Sequence, residues 1–376
     1  MSVVDRNSVL QRCHQILWRG GALDPLAAWE QLTLILIACK ELKKDSKAFN
    51  NPDKINNIQS KIENLLSNEL KKYNFSKGNS TDDDIRQILD EIDDISLEEL
   101  NSGDAKESML DGFLRHGLGQ YFTPLFARTL TVQMIPPEPE MKVGDYCMGP
   151  GGYLREAAKE ENKIVVYGCD ISEKLWKQTS AEFNLLSEIK GEFACVNSLL
   201  NWGCNEYKTH NWLKPNFLDR AYTNPPFGSD IDTEEILGNF ELGKGKKKQT
   251  SEALLLERHI DSLVPGGMLG IVLPDSILSN FGNEHVREFI LKKTTLRAVI
   301  SLPTHTFQHS DTCAKASILI IKKQTPPASH SVFMATLEDI GYDSRGHSTD
   351  SQVDEVLASW ASFVENGHFE ENDLVF

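Results

Sequence analysis

Lys142-Val143-Gly144-Asp145-Tyr146-Cys147-Met148-Gly149-Pro150-Gly151-Gly152-Tyr153-Leu154 is the stretch that decides the fold. It opens as a short strand, breaks into glycines, and runs on from Tyr153 to Glu161 with helical spacing. Glycines between a strand and a helix let the backbone approach a ligand closely, at a helix start whose free N–H groups face the crevice. A second strand, Ile164–Cys169, leads directly to Asp170. That acid lies close to the ~20-residue spacing at which a carboxylate holds a ribose hydroxyl. A plain strand-to-helix turn fits the same residues. Leu154 stands where the third glycine of a dinucleotide fingerprint would fall, which counts against a nicotinamide or flavin enzyme.

Working outward, further short β-branched or aromatic runs read as strands: Phe193–Asn197, Leu218–Thr223, Met268–Leu273, Leu296–Ser301 and Ala316–Lys322. Helical stretches Glu173–Leu186, Ser251–Leu263 and Asn283–Lys293 separate several of them. Such alternation predicts an α/β fold, a mostly parallel sheet with helices on both faces. Residues 1–115 read instead as a helical domain. Asp24-Pro25 opens an apolar-periodic segment, Leu26–Leu42, a polar loop spans Lys43–Lys54, and amphipathic segments Ile55–Tyr73 and Thr81–Ile95 follow. Thr81-Asp82-Asp83-Asp84 lacks the alternating ligands of a calcium loop and reads as a helix start. The expected division is 1–115, 116–345, and a polar tail at 346–376 with one short helix near Val353–Val364.

The chain has 376 residues, and 39 Lys+Arg against 55 Asp+Glu give a net charge of −16. That balance disfavours a protein that coats nucleic acid by itself, so any DNA contact needs a local basic patch or a more basic partner. Seven scattered cysteines without a Cys-x-x-Cys pair give neither a disulfide framework nor a zinc site, and no metal is expected. The histidines lack ligand spacing, and the tryptophans read as core. No apolar stretch approaches the ~20 residues of a membrane span. Without a basic-then-apolar leader, a cytoplasmic location is expected.

Asn224-Pro225-Pro226-Phe227 follows the strand Leu218–Thr223 at once. Neither proline donates an N–H, so the turn offers mainly acceptors, the Asn side-chain oxygen and the carbonyls. Two acceptors suit an exocyclic amino group: they hold its hydrogens and turn the nitrogen lone pair out of conjugation, toward an electrophile. An adjacent aromatic can stack on a base taken out of a duplex. Downstream, Lys244, Lys246, Lys247 and Lys248 form a basic knot in an acidic chain. It reads either as a DNA-backbone contact or as a solvated loop.

With these motifs in this order the sequence resembles the DNA adenine-N6 methyltransferases, most closely the modification subunits of type I restriction–modification systems. The resemblance runs from about Leu17 to Asp343. It implies a class I S-adenosylmethionine-dependent methyltransferase fold, Rossmann-like with a mostly parallel seven-stranded sheet, behind an N-terminal helical domain. It also implies transfer of a methyl group from S-adenosylmethionine to adenine N6 in DNA, within a restriction–modification or related defence complex. Asn224, Pro225, Pro226 and Phe227 match the catalytic motif. Gln120, Tyr121, Phe122, Thr123 and Pro124, within Gly119–Pro124, match a segment over the methionine end of the cofactor. Asp145, Gly149, Gly151 and Gly152 match its glycine-rich loop, Asp170 its ribose position and Asn197 its adenine position. Pro265-Gly266-Gly267, Ile271–Asp275 and Ile300–Thr304 match further segments, and Phe307 a second aromatic at the target base. Tyr146, Met148 and Pro150 depart from the Pro, Cys and Thr usual in the loop, and Asn197 replaces an Asp. The resemblance also implies a flipped adenine as substrate. About thirty residues after Asp343 are too few for target recognition, so a separate specificity subunit is expected, with a nuclease subunit as a further candidate partner. The alternatives are a catalytically degenerate subunit serving as a DNA-binding or assembly scaffold, a protein glutamine methyltransferase and, weakest, a nucleotide-dependent oxidoreductase.

Overall fold

A computed structural model describes residues 3–19, 25–43, 54–92, 123–187, 189–307, 315–343 and 347–368. The N-terminal part holds α1 (Val3–Arg19), α2 (Pro25–Lys43), α3 (Lys54–Ser67) and α4 (Asp82–Ile92). Next come α5 (Leu125–Met134), β1 (Lys142–Asp145), α6 (Gly152–Glu160), β2 (Val165–Asp170), α7 (Glu173–Ala181), β3 (Lys190–Cys195) and β4 (Leu218–Thr223). Two very short strands follow, β5 (Asp230–Ile231) and β6 (Gln249–Thr250), and then α8 (Ser251–Ser262), β7 (Leu263–Pro274), α9 (Asp275–Ser279) and α10 (Glu284–Lys293). The chain continues through β8 (Thr295–Ser301), β9 (Ala316–Lys322), β10 (Phe333–Thr336), β11 (Ile340–Tyr342), β12 (Ser348–Ser351) and α11 (Val353–Phe363).

The residues group into two compact units. One contains α1–α4 together with Gly149–Gly152 and Ser172–Gly191, which includes α7; the other takes the remaining described residues. In the first unit, α2 is apolar on nearly every face and buried almost throughout, as a central helix must be. Its Trp29 Nε1 donates to the buried Glu182 carboxylate at 2.9 Å, beside Thr33 Oγ1 at 3.3 Å and Gln178 Nε2 at 3.2 Å. Neutral donors thus satisfy a carboxylate removed from water. At α4, the Thr81 N–H donates to Asp84 and the Asp84 N–H to Thr81 Oγ1, a reciprocal capping box, and the acidic run complements the helix dipole.

The second unit is built on an eight-stranded sheet in the order β10-β8-β9-β7-β4-β1-β2-β3. The seven strands expected from sequence are all present, and β10 adds an edge strand parallel to β8. β9 runs antiparallel to both β7 and β8, and the other recorded pairings in this sheet are parallel. Side-chain alternation along β7 puts helices on both faces. Leu269, Ile271 and Leu273 join a buried cluster with Ala253–Leu256 of α8 and Phe289 and Ile290 of α10. Gly270 faces the other way, where an added Cβ would lie 2.2 Å from Thr131 Cγ2 on α5. On that second face Trp360 of α11 donates to the Met134 carbonyl at 2.8 Å.

Candidate active site

Parallel pairing lines up the carboxyl ends of neighbouring strands. Asp145 of β1 registers with Gly168 of β2, and Gly144 with Ala221 of β4, so Asp145, Asp170 and Thr223 finish their strands along one sheet edge. The strand order reverses between β1 and β4, and the crevice at such a switch point is where open α/β sheets bind ligands.

Asp145 is buried, and its Oδ1 accepts from Thr223 Oγ1 at 2.8 Å and from the Cys147 N–H at 3.0 Å. Burial pushes the Cys147 thiol well above its ordinary value, so it stays protonated and donates to Thr223 Oγ1, 2.9 Å away. His259, buried in α8, accepts the Tyr146 N–H on Nε2 at 3.0 Å and holds the Leu255 carbonyl with Nδ1 at 2.7 Å. Ligand-type atoms of Asp145, Cys147 and His259 lie within 4.8 Å of one another, a spacing that fits a cation. Both ring nitrogens of that histidine are already hydrogen-bonded, however, and these groups fasten β1, β4 and α8 together instead.

In the glycine-rich loop, Gly149 and Gly151 have φ of +51° and +81°, a conformation that side chains disfavour, and α6 starts at Gly152. The Gly149 carbonyl accepts from Thr179 Oγ1 at 3.1 Å. The unusual loop residues are packing residues. Tyr146 sits against the rings of Trp202, Trp212 and His259, and a Cβ on Gly168 would lie 2.4 Å from Met148 Sδ. Asp170 is buried at the end of β2. Asn197 is half-buried, its Oδ1 accepting from the Leu199 N–H at 2.9 Å, which shapes the turn after β3 as an Asp would. Thr123 is buried and Pro124 caps α5. Gln120, Tyr121 and Phe122 lie outside the described residues.

Asn224 and Pro225 leave β4 directly. The Asn224 Oδ1 is buried and has no hydrogen-bond partner among the described residues, and Pro225 is buried while Pro226 is exposed. Phe227 meets the buried Phe307, which arrives from the end of β8. Sequence reasoning missed two neighbours at the start of α8. Ser251 Oγ donates to the Pro226 carbonyl at 3.0 Å, and Glu252 Oε2 accepts the Gly228 N–H at 3.2 Å. Burial raises the Glu252 carboxyl above the usual range. Their one sequence signal was the polar Thr250-Ser251-Glu252 run ahead of an apolar helix.

The lysine knot is divided. Lys248 pairs with Asp230 at 2.6 Å, and Lys246 is half-buried against His285 Nε2. Burial lowers the pKa of both Lys246 and His285. Lys244 and Lys247 remain exposed.

The chemistry on offer is therefore a buried, unpaired oxygen acceptor beside an aromatic pair, at a sheet edge carrying two buried carboxylates. The family model for N-6 DNA Methylase matches residues 100–372. The type I restriction enzyme StySJI methylase subunit of Salmonella typhimurium is 27% identical over 270 residues, covering 65% of this chain and 48% of that protein. The type I restriction enzyme EcoKI methylase subunit of Escherichia coli is 26% identical over 342 residues, covering 82% and 58%. This chain thus spans about half the length of the curated relatives it matches. The type I restriction-modification system methyltransferase subunit from Streptococcus thermophilus superposes with a TM-score of 0.65 at 15% identity, covering 98% of each chain. A Listeria monocytogenes protein described as a class I S-adenosylmethionine-dependent methyltransferase gives the same TM-score at 20% identity, covering 98% of this chain and 99% of that one. The fold is that of the class I methyltransferases.

Proposed function

Because this chain belongs to the N-6 DNA methylase family, we propose that it methylates adenine N6 in DNA, as the modification subunit of a restriction–modification or related defence complex. The observation that carries this reading is the Asn224 Oδ1, buried and unpartnered among the described residues. Leaving such an acceptor without a donor costs about 1–3 kcal/mol, and an incoming amine supplies the donor. In this reading Asn224 Oδ1 and the Pro225 carbonyl hold the two amino hydrogens and turn the nitrogen lone pair toward the electrophile. Pro226 stiffens the turn and Phe227, backed by Phe307, stacks on the flipped base. The amine loses its proton after attack, so orientation supplies most of the catalysis and no strong base is needed.

S-adenosylmethionine, when bound, supplies the methyl group. The residues fit it: Asp170 is a buried acid at the end of β2, and Gly149 leaves open space where a side chain would stand. Thr123, Pro124, Asp145, Gly149, Gly151, Gly152, Asp170 and Asn197 are the proposed holders, together with Gln120, Tyr121 and Phe122 by motif. Target recognition is assigned to a separate specificity subunit, with a nuclease as a further partner. Among the described residues no helix is long and apolar enough to cross a membrane, and a cytoplasmic location is proposed.

The test is expression of the full chain with the genes flanking its own, in cells lacking N6-methyladenine, followed by sequencing that detects the modified base. Methylation at one recurrent sequence, lost in Asn224→Ala, is expected. A wild-type complex that leaves the DNA unmodified would sink the proposal.

A further inference from the structure

We propose that Ser251 and Glu252 are positioning residues for methyl transfer, holding the Asn224–Phe227 turn so that its acceptors stay free; this rests on the reading that the turn receives the target amine. Pro225 and Pro226 have no N–H, so at these two positions the turn can be tied down only by groups that reach its carbonyls. The start of α8 supplies what is missing. The Ser251 hydroxyl donates to the Pro226 carbonyl, the Ser251 N–H donates to the Ser229 carbonyl at 2.8 Å, and Glu252 receives the Gly228 N–H. All three bonds fall on residues 226–229, and none reaches Asn224 Oδ1. From the other side, Thr223 is tied to Asp145. Asn224 thus stands between two clamps with its own oxygen free.

A purely helix-forming role does not account for these contacts. Thr250, the N-cap residue, makes no side-chain cap bond, while Ser251 Oγ reaches the Pro226 carbonyl and Glu252 Oε2 takes the Gly228 N–H in addition to its contacts within the helix. Glu252 is 3% exposed and, among the described residues, has no cationic partner, so its carboxylate is held in place by hydrogen bonds alone. Two turns further along, His259 of the same helix holds the Tyr146 N–H. One rigid helix therefore sets the height of the catalytic turn and of the residue after Asp145.

The experiment measures tritium transfer from S-adenosylmethionine to unmethylated genomic DNA by the purified complex, with the full chain carrying Ser251→Ala, Ser251→Thr or Glu252→Gln. Misplacing a reacting group by an ångström costs on the order of 100-fold. Ser251→Ala should therefore lower kcat about 10- to 100-fold, with KM for S-adenosylmethionine and the melting temperature close to wild type. Ser251→Thr, which keeps the hydroxyl, should recover most of the rate, and Glu252→Gln, which keeps an acceptor for Gly228, should lose less than Ser251→Ala. Wild-type kcat in Ser251→Ala overturns the proposal, as does an equal loss in Ser251→Thr or a rate loss that tracks a collapse in melting temperature. A wild-type complex that transfers no methyl overturns the parent reading, and this one with it.

Discussion

The Phe227 ring meets the Phe307 ring edge to face, with centroids 5.9 Å apart and planes at 76°. They come from the carboxyl ends of two strands that are not neighbours in the sheet, β4 and β8. Phe307 is buried and Phe227 is half-exposed, so Phe307 acts as the wall behind the Phe227 ring. Stacking on a base is worth about 1–3 kcal/mol, so Phe227→Ala should lower kcat/KM for DNA roughly 5- to 150-fold and hardly move the melting temperature. Phe307→Ala opens a cavity and should cost about 3–5 kcal/mol of stability. Denaturant unfolding beside a methylation assay separates the two, and equal stability losses would contradict the division of roles.

Asn224→Ala removes an acceptor that has no partner among the described residues. The expected result is loss of methylation with undiminished stability and retained cofactor binding, because the folded protein gives up a desolvated oxygen and no bond. Calorimetric titration with S-adenosylmethionine and a melting curve check this. A clear drop in stability would mean that the oxygen is serving the fold.

Much of this site was legible in the sequence because proline and glycine announce themselves. The Leu218–Thr223 strand has the bounds its residues imply, since Asn224-Pro225-Pro226 ends it without ambiguity. β7 begins at Leu263, ahead of the Met268–Leu273 run that composition marks, because the Gly266 N–H bonds to the Lys323 carbonyl and the Lys323 N–H to the Gly267 carbonyl. Four-residue β10 gains its strand character from pairing with β8, which composition does not carry. Ser251 and Glu252 were invisible for a different reason. A polar pair at a helix start has an ordinary local use, and only tertiary structure turns it onto a distant turn.

Gly168 explains why Met148 is tolerated beside the glycine-rich loop. An added Cβ would lie 2.4 Å from Met148 Sδ, 3.0 Å from Leu154 Cδ1 and 3.2 Å from Phe193 Cδ1. Gly168→Ala should therefore push Met148 outward, costing about 1–3 kcal/mol and weakening cofactor binding. Adding Met148→Ala should restore part of both. A double variant no better than Gly168→Ala would show that Leu154 or Phe193 sets the limit instead.

His285 gives the lysine segment a pH dependence. Its ring accepts from Lys246 and Gln249, and burial, helped by the Lys246 charge, lowers its pKa from the ordinary 6.5. The unfolded chain therefore takes up this proton first as pH falls. The stability tied to the neutral ring is complete above the unfolded value and is lost as pH drops toward the folded one. Between about pH 7.5 and about 5.5 the melting temperature should fall more in wild type than in His285→Gln. Equal slopes would exclude the histidine.

Charge accounting also divides the four lysines by function. Lys248 is neutralised by Asp230 and Lys246 is committed to His285, which leaves Lys244 and Lys247 exposed without such partners among the described residues. If this segment touches DNA phosphates, those two make the contact. Each phosphate contact contributes about 0.9 to the slope of log affinity against log salt. Lys244→Glu with Lys247→Glu should weaken DNA binding by the complex and flatten that slope by roughly 1.8, whereas Lys248→Ala should leave it unchanged. Fluorescence anisotropy with a labelled duplex between about 50 and about 200 mM salt reads both. An unaltered slope in the double variant assigns the segment to solvent. A flattened slope in Lys248→Ala would mean that its pairing with Asp230 gives way to phosphate in the complex.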